Sequence, residues 1–204
     1  MIVIIDYNMG NPGSILNMLK KIGAKAKISA NTEDIRSAKK LILPGVGAFD
    51  NAMMNLNNLN LIPILNEAVI SRKTPILGIC LGMQLFSKRS EEGTLAGLAW
   101  LDAETMKLKP DNNQSLKIPH MGWNTIEVKR ECGLFGSMYE EPRFYFAHSY
   151  HVKCNNAEDV AAATYYGQEF CSAIAHENIF AVQFHPEKSH KFGLKLLRNF
   201  AELC

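Results

Sequence analysis

The sequence predicts an α/β fold in which a parallel sheet is extended by antiparallel or mixed strands. Two observations lead to this prediction. Short, wholly apolar runs alternate with helical patterns in the first half of the chain, as in β-α-β repeats with right-handed crossovers. In the second half, short β-rich segments replace most of the helices. No internal repeat is visible, so we expect residues 1–204 to form one domain, with the polar cluster at residues 111–114 as a loop within it.

The elements of the first half follow from the apolar runs and their borders. Residues 2–5 are apolar throughout, as expected of a buried parallel strand. Asn11 and Pro12 begin a helix as its N-cap and first residue, and Gly23 ends that helix. Further strands are predicted at residues 25–29, 41–43 and 75–79, and a helix precedes the last of them at residues 61–70.

The second half predicts the extension of the sheet and a closing helix. The β-rich segments are residues 124–128, 143–147, 160–166, 171–176 and 179–184. Helical spacing of apolar residues over 192–200 predicts the last helix.

Composition excludes several classes of protein. The net charge is only +2 and the basic residues are scattered, so nothing indicates nucleic-acid binding. No run of about 18 apolar residues predicts a membrane span, and the apolar N-terminus lacks the charged start of a signal peptide. Five irregularly spaced cysteines indicate reduced thiols and therefore a cytoplasmic protein. No Cys or His spacing predicts a metal site, and we expect none.

A cysteine stands where a tight strand-to-helix turn is predicted. Gly78, Cys80 and Gly82 have the spacing of a nucleophile elbow, in which strand and helix approach so closely that the flanking positions need glycine. The helix that begins at Leu81 directs its first amides at the sulfur, which favours the reactive thiolate. A buried structural cysteine flanked by chance glycines is the alternative interpretation.

The base predicted for this nucleophile is His185. It follows the apolar strand at residues 179–184, and parallel α/β sheets place their sites at such strand ends. Glu187, two residues on, can orient the imidazole and stabilise its charged form. The alternative is a histidine that only caps a helix at the end of a strand.

A glycine-flanked turn after the third strand is the candidate oxyanion site. Gly45 and Gly47 border Val46 and allow its peptide to rotate towards a developing oxyanion. The Leu81 amide, directly after Cys80, is the natural second donor. Taken alone, this segment also fits an ordinary turn at the exit of a strand.

At these residues the chain resembles the class I, triad-type glutamine amidotransferases. Their marks are a G-x-C-x-G elbow with a glutamine soon after it and a late H-P-E, which stand here at residues 78–84 and 185–187. Within that family the chain resembles the glutaminase subunits of imidazole glycerol phosphate synthases, of histidine biosynthesis. The segments that carry this narrower resemblance are residues 4–11, 43–49, 78–84, 119–124, 145–150 and 183–189.

The resemblance implies a class I glutamine amidotransferase-like, flavodoxin-like fold with helices on both faces of a central, mostly parallel sheet. It implies that Cys80 attacks the glutamine γ-carboxamide, that ammonia leaves, and that water hydrolyses the cysteinyl thioester, with no cofactor. It assigns the amino-acid end of glutamine to Gly45, Gln84, Glu92, His148 and Ser149. Adjacent Glu91 offers the same chemistry as Glu92, and Gln84 alone also fits a solvated helix residue.

The resemblance also implies a partner. The partner is the synthase (cyclase) subunit, a TIM barrel that forms a heterodimer with the glutaminase and uses the ammonia. Trp123, Tyr145 and Lys188 correspond to the face that meets this barrel, although Trp123 by itself reads as a core residue. The chain departs from the family's pattern at residues 93–98, which match loosely, and at His190.

Three competing interpretations remain open from the sequence. A cysteine peptidase or deglycase on a related fold would keep Cys80 but would not explain residues 44–47 and 185–187. A glutaminase of anthranilate or pyridoxal phosphate synthesis is disfavoured by residues 119–124. The third is a catalytically idle binding or regulatory subunit.

Overall fold

The computed structural model describes residues 1–111 and 116–204. The polar cluster predicted as a loop therefore lies outside the described residues, apart from Asp111. The described strands are β1 (Ile2–Ile5), β2 (Ala26–Ser29), β3 (Lys40–Gly45), β4 (Ile76–Cys80), β5 (Ala103–Lys107), β6 (His120–Thr125), β7 (Glu127–Val128), β8 (Arg143–His148), β9 (Tyr150–Cys154), β10 (Val160–Tyr165), β11 (Glu169–His176) and β12 (Ile179–Val182). The described α-helices are α1 (Pro12–Lys21), α2 (Thr32–Arg36), α3 (Phe49–Asn58), α4 (Leu61–Asn66), α5 (Leu81–Leu85) and α6 (His190–Leu203), and a π-helical turn, Glu67–Ser71, continues α4.

An eight-stranded sheet in the order β2-β1-β3-β4-β12-β11-β10-β7 forms the centre of the molecule. The first five strands in this order, β2, β1, β3, β4 and β12, run parallel to one another. β11, β10 and β7 add the antiparallel extension. Two separate clusters of buried apolar side chains, each containing residues of the sheet and of helices, form the core. This confirms the predicted α/β class with its mostly parallel sheet and antiparallel extension.

Two of the predicted strands leave the main sheet. β6 pairs with β8, and β9 pairs with β5, so each pair forms a separate two-stranded antiparallel sheet. The prediction that residues 124–128 and 143–147 extend the main sheet was therefore wrong except at β7. The strands β5 and β9 and the helices α2 and α3 had not been predicted. Alternating polar and apolar residues identify a strand but do not specify which strand it pairs with.

The first helix shows how local signals were read correctly. Asn11 caps α1 by accepting a hydrogen bond from the Ser14 amide at 3.2 Å. Gly23 follows the helix with a φ of +79°, a left-handed conformation that glycine adopts without strain. The cap and the stop therefore lie where the sequence placed them.

Three neighbouring parallel strands bring the distant sequence motifs to one edge of the sheet. β4 lies between β3 and β12, with Gly45 paired to Cys80 on one side and Val182 paired to Ile79 on the other. The residues that follow β3 and β12 are therefore neighbours of Cys80 at the carboxyl end of the sheet, where sites in such folds lie.

Candidate active site

Cys80 lies on a strained turn between β4 and α5. Its backbone has φ 54° and ψ −108°, a conformation that non-glycine residues rarely adopt. A side chain at Gly78 would come within 2.6 Å of the Phe86 ring, and one at Gly82 would come within 1.8 Å of the Leu43 carbonyl oxygen. The close approach of strand and helix that was inferred from the two glycines is therefore present.

His185 and Glu187 form a buried pair next to this turn. Nδ1 of His185 lies 2.8 Å from a carboxylate oxygen of Glu187, and the imidazole is 2% exposed. The turn is fixed on both sides, because the His185 amide donates to the Tyr145 carbonyl at 2.8 Å and Ser189 Oγ donates to the His185 carbonyl at 2.6 Å. Among the described residues, His185 Nε2 has no hydrogen-bond partner. This nitrogen is therefore free to exchange a proton in the site.

The surroundings of His185 favour its charged form. Burial lowers the pKa of the imidazole, but the Cys80 sulfur and the Glu187 carboxylate raise it by more, to about 10. The imidazolium therefore predominates at neutral pH. A cationic histidine beside a cysteine favours the thiolate, which is the nucleophilic form.

A cavity of about 220 Å³ opens beside Cys80. Most of the residues that were predicted for the oxyanion hole and for substrate binding line it. They are Val46, Gly47, Leu81, Gln84, Glu92, His148 and Ser149. Gly45 does not line the cavity, because it is packed below the surface, where a side chain would come within 2.5 Å of the Tyr7 hydroxyl and 3.0 Å of Leu81.

The two adjacent glutamates point to different places. Glu92 lines the cavity and accepts a hydrogen bond from the Phe49 amide at 3.0 Å. Glu91 instead accepts from the Lys107 amide at 2.6 Å and does not line the cavity. The geometry therefore favours Glu92 as the carboxylate available to a ligand.

Gln84 is buried, and its side-chain NH₂ group donates two hydrogen bonds. It is 5% exposed, which excludes the interpretation as a solvated helix residue. Its Nε2 donates to the Tyr150 carbonyl at 3.1 Å and to Oε1 of Gln183 at 3.2 Å. The role of Gln84 in substrate binding stays a prediction.

A hydrogen bond from Tyr7 anchors the candidate oxyanion segment, residues 45–47, through the preceding Pro44. The Tyr7 hydroxyl is fully buried and donates to the Pro44 carbonyl at 2.6 Å. Burial, together with the nearby Cys80 sulfur, raises the pKa of Tyr7 well above its usual range, so the hydroxyl stays protonated. Gly47 has a φ of +121°, which glycine allows, and the Val46 side chain is 47% exposed. The sequence motif contained Tyr7, but its contact with Pro44 was not predicted.

Two buried histidines extend the hydrogen-bonded wall of the cavity. His148 Nδ1 donates to the Tyr150 carbonyl at 2.8 Å, so its Nε2 accepts from His120 Nδ1 at 3.0 Å. His120 Nε2 in turn accepts from the side-chain Nδ2 of Asn124 at 3.3 Å. Burial lowers the pKa of His120 to about 4 and that of His148 to about 3, so both are neutral at pH 7.

This neutral pair predicts acid-sensitive stability. Between pH 6.5 and about 4 the unfolded chain binds protons that the native histidines reject, so the free energy of unfolding falls as the pH falls. From pH 7 to pH 5 we expect a loss of about 2 kcal/mol for each histidine. His185 does not share this loss, because its raised pKa gives a contribution that is fully present below pH 6.5 and is lost as the pH rises from there through about 10.

Urea unfolding at pH 7 and pH 5 measures this loss in the wild type and in His120→Gln. The variant should lose about 2 kcal/mol less than the wild type between the two pH values. An equal loss in both proteins would contradict the buried, neutral state of His120.

The three predicted interface residues lie together on the surface. Trp123 and Tyr145 are paired in the β6–β8 sheet, and the Lys188 ammonium lies 5.4 Å from the Tyr145 ring centre. Trp123 is 45% exposed, so the interpretation as a core residue was wrong. His190, which departs from the family's pattern, stacks on Trp123 at 5.4 Å with an interplanar angle of 4°.

Comparisons with known proteins agree with the fold. The family model for class-I glutamine amidotransferases matches residues 3–203. The imidazole glycerol phosphate synthase subunit HisH 2 of Methanococcus maripaludis is 54% identical over 200 residues, with 98% of each chain covered. The protein of the same name from Pseudomonas aeruginosa is 48% identical over 203 residues, with 100% of each chain covered. A solved glutamine amidotransferase structure shares the fold at 18% identity, with a TM-score of 0.74 over 99% of this chain and 98% of that one.

The family match defines the class of protein. Because the family model covers nearly the whole chain, the chain belongs to the class-I glutamine amidotransferases. Within that class, the chain belongs to the family of imidazole glycerol phosphate synthase HisH subunits. In the part of the chain that the structure describes, no helix is both long enough and apolar enough to cross a membrane.

Proposed function

We propose that this chain, acting as a single amidotransferase domain over residues 1–204, is the glutaminase subunit of an imidazole glycerol phosphate synthase. It hydrolyses glutamine to glutamate and ammonia and passes the ammonia to a synthase (cyclase) subunit. The observation that carries this proposal is the position of Cys80 beside His185 at one edge of the sheet, facing a cavity, in a chain that is 54% identical to a HisH subunit.

The first half of the reaction releases ammonia. The Cys80 thiolate attacks the γ-carboxamide carbon of glutamine, and the carbonyl oxygen becomes an oxyanion. The amides of Leu81 and of the Val46–Gly47 segment donate to this oxyanion. The carbon–nitrogen bond then breaks as His185 Nε2 gives its proton to the departing nitrogen, which leaves as ammonia. His185 can act as this acid because its pKa of about 10 keeps it charged at neutral pH.

The second half restores the enzyme. His185, now neutral, takes a proton from a water molecule that attacks the thioester carbonyl. The carbon–sulfur bond breaks, glutamate leaves, and the sulfur returns to the thiolate beside a charged imidazole. Glu187 holds the imidazole through Nδ1 in both halves, which keeps Nε2 directed at the reacting atoms.

The wall of the cavity suits the other end of the substrate. The Glu92 carboxylate pairs with the α-ammonium group, and Gln84, His148 and Ser149 line the space for the rest of the amino-acid end. The neutral His148 keeps its single N–H bonded to the Tyr150 carbonyl and is not an acid at pH 7, so it does not convert ammonia into ammonium. Direct transfer to the partner avoids neutral water, where ammonia becomes ammonium and stops being a nucleophile.

The surface formed by Trp123, Tyr145 and Lys188 is the proposed contact with the synthase subunit, a TIM barrel in a heterodimer. The Tyr145 backbone is hydrogen-bonded to both His185 and Ser189, at 2.8 Å and 3.0 Å. A partner that contacts Tyr145 therefore touches a residue that is hydrogen-bonded directly to the proposed base, His185. We place this heterodimer in the cytoplasm, where reduced cysteines are usual.

The test is glutamate release from glutamine, measured with and without the synthase subunit and its nucleotide ligand. We expect release that rises with partner and ligand and that Cys80→Ala abolishes, while the variant still binds the partner. Cys132→Ala is the matched control and should keep full activity, because Cys132 lies far along the chain and outside the cavity. Activity that survives in Cys80→Ala, or no activity in a proven wild-type complex, would refute the proposal, and the second result would favour an idle subunit.

The two glutamates give a second, more specific prediction. Glu92→Gln should raise KM for glutamine about 10- to 100-fold with little change in kcat, because a charged hydrogen bond to the substrate is lost in ground and transition state alike. Glu91→Gln is the matched control and should have a KM close to that of the wild type. Steady-state kinetics of the complex measures both, and a larger effect of Glu91→Gln would reverse the assignment.

A further inference from the structure

Gln183 touches the nucleophile from the side opposite Gly45. It directly follows β12, and the pairing of Val182 with Ile79 places it next to Cys80. Its side chain is fully buried, and its Nε2 lies 3.7 Å from the Cys80 sulfur, within hydrogen-bonding distance for a sulfur acceptor. Because buried polar groups in proteins are nearly always hydrogen-bonded, the partners of this buried amide indicate its role.

The Tyr150 backbone carbonyl determines which atom of Gln183 faces the Cys80 sulfur, because Gln84 connects the two. The Tyr150 carbonyl can only accept, so the Gln84 side chain must turn its NH₂ group towards it. The same NH₂ group then donates to Oε1 of Gln183, which leaves the NH₂ group of Gln183 facing the sulfur. The Cys80 sulfur is therefore an acceptor in this network.

We propose that Gln183 is a positioning residue for the nucleophile, which holds the Cys80 sulfur as a hydrogen-bonded thiolate and ties its position to Gln84. The inference rests on the proposed function and deepens it. An N–H donor bonds more strongly to an anionic sulfur than to a neutral one. Gln183 thus favours the thiolate before attack, and it favours the sulfur again as the leaving group when the thioester is hydrolysed.

The network also couples two parts of the site. Gln84 lies on the helix after Cys80 and lines the cavity, whereas Gln183 lies between the end of β12 and His185. The hydrogen bond between Gln84 and Gln183 links the position of the Cys80 sulfur to the wall of the cavity and to the turn that carries His185. A change at Gln183 is therefore expected to alter the state of the sulfur, whereas a change at Gln84 is expected to alter the cavity.

The experiment compares Gln183→Met with Gln84→Met. Both variants lose the bond between the two glutamines, but only Gln183→Met loses the donor to the sulfur. The readout is the rate of alkylation of Cys80 by iodoacetamide as a function of pH, followed by mass spectrometry of the peptide that contains Cys80. Ser172→Ala is the control for a buried polar change on the adjacent strand β11, since Ser172 Oγ has no hydrogen-bond partner among the described residues.

We expect the pH midpoint of alkylation to rise by about one unit in Gln183→Met and to stay unchanged in Ser172→Ala. In Gln84→Met the rise should be smaller, because the donor to the sulfur remains and only the group that orients it is lost. In the complex with the synthase subunit, kcat of Gln183→Met should fall about tenfold, in line with that shift. If Gln183→Met does not fold, Gln183→Asn keeps a polar amide that is one methylene too short to reach the sulfur, and the same shift is expected.

Two results overturn the inference. One is an unchanged alkylation midpoint in a folded Gln183 variant, and the other is an equal shift in Gln84→Met. Alkylation does not require glutamine, so the two proposals fail separately. Absence of glutamine hydrolysis in the wild-type complex would refute the proposed function while the midpoint shift stands.

Discussion

Replacing His185 by glutamine is expected to lower kcat for glutamine hydrolysis by about 10³- to 10⁴-fold in the complex with the synthase subunit. Glutamine can occupy a similar space, but it can neither give a proton to the departing nitrogen nor take one from water. The cationic neighbour that favours the Cys80 thiolate is lost as well. Both losses act on the transition state, so KM should change far less than kcat.

A matched control exists elsewhere on the sheet. Nδ1 of His176 lies 2.8 Å from the Asp159 carboxylate, the same distance that separates His185 from Glu187. His176 is at the end of β11 and does not line the cavity. His176→Gln should therefore leave kcat unchanged. The assignment of the base would be contradicted if kcat of folded His185→Gln fell by less than tenfold, or if kcat of His176→Gln fell as much as that of His185→Gln.

Replacing Gly82 by alanine is expected to lower the free energy of unfolding by more than about 4 kcal/mol, a large part of the roughly 5–15 kcal/mol that stabilises a typical protein. The added methyl group would lie 1.8 Å from the Leu43 carbonyl oxygen, which belongs to the backbone of β3 and cannot rotate away. The helix α5 would have to move off the sheet, and the elbow that holds Cys80 would open. Overpacking of this kind is not relieved by a change of rotamer.

Gly13→Ala is the matched control for this prediction. Gly13 lies in the first turn of α1, where an added methyl group would meet only the Asn11 side-chain oxygen, at 3.5 Å. Alanine favours a helix over glycine, so stability should be unchanged or slightly higher. Urea unfolding monitored by circular dichroism measures both variants, with the yield of soluble protein as a second readout. Normal stability of Gly82→Ala would show that strand and helix are farther apart than the structure describes.

The parts of the site that follow from local backbone chemistry could be predicted from the sequence. Gly78 and Gly82 mark a close approach that leaves no room for a side chain, and the structure places their neighbours at 2.6 Å and 1.8 Å. His185 and Glu187 are two residues apart, so their contact depends only on a short turn. The cap and the stop of α1 are local in the same sense.

The parts that depend on distant pairing could not be predicted. Nothing in residues 120–125 or 143–148 indicates that β6 and β8 pair with each other and leave the main sheet. The contact of Gln183 with Cys80 depends on the insertion of β12 beside β4, 103 residues away along the chain. The neutral histidine pair likewise joins residues that lie 28 positions apart. Such contacts are properties of the register of strands, which a single sequence does not specify.

The order of the strands has a consequence for the synthesis of the chain. β12 inserts between β4 and β11, so Cys80 emerges from the ribosome long before β12 and the residues that follow it, Gln183 and His185. A nascent or truncated chain that ends before residue 179 contains the cysteine but lacks the amide and the proton carrier. On the proposed mechanism such a chain does not hydrolyse glutamine, and hydrolysis requires a chain that includes β12 and residues 183–187.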